Sequence, residues 1–125
     1  MEVKSLPTPP DRPAIQSYGP DGVRIANMLY RGPILVLASG VIDWPVTSPA
    51  LEERDFAMVF EHRTEFDVLL IGSGAKGADL PHAVAGRLRA RGVPCELMDT
   101  GAACRTYNLL IAERRRAAAA LLPPR

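Results

Sequence analysis

The sequence predicts an α/β domain in which parallel strands are joined by helical crossovers and an N-terminal β-hairpin comes first. Three observations carry that expectation. Apolar stretches follow one another in the order strand, helix, strand, helix, strand, the pattern that stacks helices on a parallel sheet. The 125 residues are 47% hydrophobic and 23% charged, which fits one globular domain and excludes a disordered or collagen-like chain. A chain of this length buries roughly two thirds of its unfolded surface, enough for a core without metal or disulfide staples.

The elements follow in order from their punctuation. Pro7, Pro9, Pro10 and Pro13 crowd the start, and proline opposes helix and removes a backbone donor. Residues 1–13 therefore read as a Pro-rich flexible tail and 14–123 as the single α/β domain. Residues 15–18 alternate apolar and polar, Gly19-Pro20-Asp21-Gly22 spells a turn, and residues 23–26 alternate again; that is a hairpin signal. Ile34-Leu35-Val36-Leu37, between Gly32-Pro33 and Ser39-Gly40, reads as a buried strand, and residues 41–47 as a loop holding the only tryptophan, Trp44.

Ser48 and Pro49 signal a helix start, with Glu52 and Glu53 near its positive end. The predicted helix covers residues 49–63, with Phe56, Val59 and Phe60 as its apolar stripe. Residues 66–71 form the most apolar strand, broken by Gly72. Asp79 and Pro81 open a second helix with Leu80, Val84 and Leu88 on one face and a stop at Gly92. Residues 93–98 return as a strand, and Thr100 is the expected cap of a third helix ending near residue 114. Residues 117–122 stay ambiguous on local grounds, because four consecutive alanines favour helix.

Fifteen basic and fourteen acidic residues leave a net charge of +1, which argues against a nucleic-acid binder. The average hides an asymmetry. Residues 1–80 hold seven basic and eleven acidic groups, while residues 81–125 hold eight arginines against Glu96, Asp99 and Glu113, a balance of −4 against +5. Arg87 and Arg91 share a helix face and residues 114–116 form an arginine run; a solvated face is the default for such groups, an acidic partner or lipid surface the alternative. Cys95 and Cys104 lack redox or zinc-knuckle spacing, and His62 and His82 stand too far apart for a helical ligand pair, so no metal site is expected. Neither a leader pattern nor a membrane-length apolar run is visible, making a cytoplasmic, reducing setting the default.

Gly72-Ser73-Gly74-Ala75-Lys76-Gly77 is a literal G-x-G-x-x-G after a strand, with Glu96 nineteen residues beyond Gly77, the spacing of a dinucleotide site. Against it, Asp79 and Pro81 place the helix start beyond Gly77, and only 48 residues follow the loop. The favoured alternative is a backbone turn out of a buried strand, for which Gly72 and Gly74 supply the freedom. The stretch is neither a Walker loop nor a nucleophile elbow, and Ser73 has no histidine partner in evidence. No catalytic constellation is found.

The C-terminal half contains Met98-Asp99-Thr100, then Ala103-Cys104-Arg105-Thr106-Tyr107-Asn108, then Glu113-Arg114-Arg115, then the alanine run ending Leu121-Leu122-Pro123. Together with Leu70-Ile71-Gly72-Ser73-Gly74 and Trp44, these residues closely resemble the family of the complex I (NADH dehydrogenase) assembly factor 3 and its uncharacterised bacterial and archaeal relatives. That family carries L-I-x-G-x-G, a T-Y/F-N helix entry, and E-G-R where this chain has Arg114 in place of the commoner glycine. The resemblance covers residues 14–123 and implies a compact three-layer α/β domain with a mixed central sheet. It also favours a strand over helix at 117–122. It implies no established enzymatic activity and no cofactor. The function it implies is a non-catalytic assembly protein, a bacterial member with protein partners in respiratory-complex or export machinery, near the inner membrane. The alternative is a small-molecule or nucleotide-phosphate binder using Gly72, Ser73, Gly74 and Gly77.

Crevices at the carboxyl ends of parallel strands are where α/β folds bind partners, and the Gly72 and Asp99 loops belong there. An interaction patch of Trp44, Gly72, Ser73, Gly74, Asp99, Thr100, Arg105, Tyr107 and Asn108 is therefore expected. Its rival has Tyr107 and Asn108 as buried, structure-stabilising groups. Cys104, beside Arg105 near a helix start, is either an activated thiol or a plain buried one.

Overall fold

Period-two alternation in the first segment yields β1 (Ile15–Gly19) and β2 (Gly22–Ile25), antiparallel as the sequence predicts. The computed structural model describes residues 14–48, 50–77 and 79–124; the expected tail at 1–13 and Pro49 lie outside them. A second hairpin, not anticipated, follows at once. Ala26 and Asn27 both take positive φ, 50° and 65°, the mirror-image turn that matches strand twist, and β3 (Met28–Tyr30) returns beside β2. The side chain of Gln16 clamps this turn by accepting the Asn27 N–H at 2.7 Å.

The apolar run forms β4 (Ile34–Leu37), and β5 (Gly40–Asp43) folds back on it where a loop was expected. The predicted helix 49–63 is also corrected. Residues 50–52 are not helical; a 3-10 turn (Glu53–Phe56) leads into the short α1 (Ala57–Glu61), and a second 3-10 turn (Arg63–Glu65) follows. Ser48 makes a local turn by accepting the Ala50 N–H at 3.1 Å, while Glu52 and Asp55 form the working start, the Glu52 N–H donating to Asp55 Oδ2 at 2.8 Å.

The remaining elements are β6 (Val68–Gly72), α2 (His82–Ala90), β7 (Cys95–Met98), α3 (Thr100–Ala112) and β8 (Ala117–Leu121). Helix α2 starts at His82, with Pro81 of the predicted start as its N-cap and no side-chain cap hydrogen bond. Arg114 takes a left-handed φ of 63°, so the tight turn after α3 persists without the glycine common in the resembling family.

The five-stranded sheet has the order β5-β4-β8-β6-β7: β8, β6 and β7 are parallel, and β4 and β5 run antiparallel at the other side. Alternate residues feed two cores. Leu35, Leu37, Leu69, Ile71, Ala118 and Ala120 face α1, α2 and Trp44. Ile34, Val36, Leu70, Ala119 and Leu121 face α3 and the three-stranded sheet. The domain is thus a three-layer mixed α/β fold. The alanines of β8 are all buried; their smallness lets layers close on both faces of the central strand, and this tertiary fit overrides helix propensity.

Candidate functional site

Three backbone ends converge where β6, β7 and β8 finish, because parallel strands deliver their carboxyl ends to one edge. Gly72 is needed there for packing: a Cβ would stand 2.8 Å from the Leu121 side chain and 3.0 Å from Thr100 Cα. Gly74 turns the chain away with φ +102°. Asp99, not Thr100, caps α3, its Oδ1 accepting the Ala102 N–H at 2.9 Å. That displacement by one residue frees Thr100 for another task. Fully buried, its Oγ1 accepts the Gly74 N–H at 2.9 Å and donates to the Leu122 carbonyl at 2.7 Å. Its own N–H donates to the Gly74 carbonyl at 2.9 Å, and the Ser73 N–H and hydroxyl both donate to the Met98 carbonyl, at 2.9 and 3.2 Å.

Between the loops so pinned lies an open cleft of about 330 Å³, at the small end of ligand-binding clefts. Its walls come from the loop after β6, the exit of β8 at Leu122 and Pro123, the entry to β4 at Gly32 and Pro33, and residues 46–48. Of the predicted patch, Ser73 and Gly74 line this cleft, Gly72 and Thr100 stand behind it, and Asp99 ends the adjoining loop. Gly32, Pro33, Val46, Thr47, Ser48 and Leu122 were not anticipated. Gly32, Pro33 and Leu122 reach the site through the antiparallel register that sets Ile34 against Leu121, a long-range pairing with no local signal, and residues 46–48 through the pairing of β5 with β4.

Other members of the predicted patch lie elsewhere. Trp44 is 2% exposed in the opposite core, 5.3 Å from the Phe56 ring, with its Nε1–H donated to the Asp55 carbonyl at 2.6 Å. Asn108 is buried and clamps β1: it accepts the Ile15 N–H at 2.9 Å and donates to the Ile15 carbonyl at 2.7 Å. Tyr107 is fully buried beneath the same helix. Arg105 is exposed, but it donates to the Tyr18 hydroxyl and its guanidinium stands 5.9 Å from that ring.

The glycine-rich loop departs from dinucleotide geometry. Gly77 lies in a turn, and α2 begins only at His82, five residues beyond it, whereas in a pyrophosphate site the third glycine lies within the start of the helix. The activated-thiol alternative for Cys104 is corrected as well. Burial pushes its pKa up to about 12, outweighing the opposing pull of Arg105, and burial also raises that of Cys95. A polar cluster sits between the β4–β5 turn and the segment before β6, where Glu65 accepts the Ser39 hydroxyl at 2.6 Å and meets His62 Nδ1 at 2.6 Å. The Ser39 hydrogen bond, then the His62 one, hold the Glu65 carboxyl below its usual range. Among the described residues no group of three or more His, Cys, Asp or Glu side chains is placed to hold a metal ion, and no helix is long and apolar enough to cross a membrane.

Comparison with known proteins places this geometry in context. A family described as a protein of unknown function, DUF498/DUF598, matches residues 15–122. A Danio rerio protein named NADH dehydrogenase (ubiquinone) 1 alpha subcomplex assembly factor 3 is 36% identical over 111 residues, 88% of this chain; the chain spans 64% of that relative's length. An uncharacterized protein of Rhodobacter capsulatus is 39% identical over 109 residues, covering 87% of this chain and 83% of its own. The solution structure of a Bordetella pertussis protein described as a Mth938-like domain superposes with a TM-score of 0.74 at 29% identity, covering 99% of this chain and 93% of that one.

Proposed function

Because the chain belongs to the DUF498/DUF598 family, we propose that it is a non-catalytic accessory protein for assembly of the respiratory NADH dehydrogenase. One observation carries the proposal: 36% identity, across 88% of this chain, to a protein named as an assembly factor for that enzyme. The geometry agrees with a binding role. Residues that resemble catalytic or cofactor motifs are engaged in scaffolding: Ser73 and Thr100 in backbone hydrogen bonds, Gly72 in close packing, and both thiols in the core. The cleft and the Arg105 face remain open to a partner. On this proposal the partners are subunits or assembly intermediates of the complex, met in a bacterial cytoplasm at the inner-membrane periphery.

The test is genetic and biochemical. Deleting the gene in the organism that encodes the chain is expected to deplete assembled NADH dehydrogenase on native gels, and the tagged chain is expected to capture subunits from solubilised membranes. Full assembly in the deletion strain, with no subunit captured, overturns the proposal.

A further inference from the structure

We draw no further inference here: the strongest candidate, the surface cavity of about 390 Å³ between the 3-10 turn at Glu53–Phe56 and the end of α2, carries nothing, because its Arg91 is already engaged by Glu53 at 2.7 Å and by the Phe60 ring, its Arg54 is held by Glu52, and nothing in the structure shows what occupies it.

Discussion

Thr100 has no charge and no exposure, yet two loops depend on its hydroxyl. Thr100→Val keeps the shape and leaves the Gly74 N–H and the Leu122 carbonyl without that partner, so a loss of about 2–4 kcal/mol is expected, read as a lower urea midpoint at unchanged slope. In the sequence Thr100 stands out as a cap. The residue is important, but the cap is Asp99, since both residue types cap well and adjacency gives local rules no means to choose. Cys104 is open to two readings in the sequence, of which the plain buried thiol is the one the fold bears out. Its neighbour Arg105 suggests activation, whereas the folded chain encloses the thiol and pushes its pKa up to about 12. Native protein at pH 8 is therefore expected to resist iodoacetamide at Cys104, with labelling appearing only on denaturation; rapid labelling of the folded chain contradicts this.

Elements differ in how much of their fate is local. Strands β4 and β6 are legible because a continuous apolar run between turn residues has few other uses. Strands β3 and β5 are only three and four residues long, and the turn before β3 lacks the glycine that marks such hairpins. Strand β8 inverts its local preference because its alanines fit between two packed layers. Asn108 clamps the three-stranded sheet at Ile15, alongside the Arg105 hydrogen bond to Tyr18. Asn108→Leu deprives a buried N–H and carbonyl of that partner and is expected to cost about 2–4 kcal/mol. Hydrogen exchange is expected to quicken first in β1 and β2; uniform quickening across both sheets would show that the clamp is not local.

Over the whole molecule, the unlike charge of the two halves turns out to be partly internal. Arg91 of the basic half pairs with Glu53 of the acidic half at 2.7 Å and stands 4.1 Å from the Phe60 ring, and Arg87 reaches the same carboxylate at 3.7 Å. Arg89 donates to the Cys95 carbonyl, and Arg116 donates to the Thr64 carbonyl. The shared Glu53 carboxylate offsets part of the positive balance summed over residues 81–125, whereas the hydrogen bonds of Arg89 and Arg116 to main-chain carbonyls join elements of this chain without neutralising charge. Such exposed pairs contribute little stability individually; here they link the end of α2 to the turn before α1.

The sequence by itself determined the α/β class, the buried strands and the turn after β6, because period, apolar runs and the φ demands of glycine act over a few residues. Family membership was legible too, in the Leu70–Gly74 and Cys104–Asn108 stretches. The tertiary structure alone decided that Trp44 and Asn108 support the core, that the strand at 117–121, which the resemblance already favoured, lies at the centre of the sheet, and that residues 32–33 and 46–48 meet the β6 loop in a cleft. Those outcomes follow from strand pairing and burial between segments as far apart as Ile34 and Leu121, whose free energy no local pattern records.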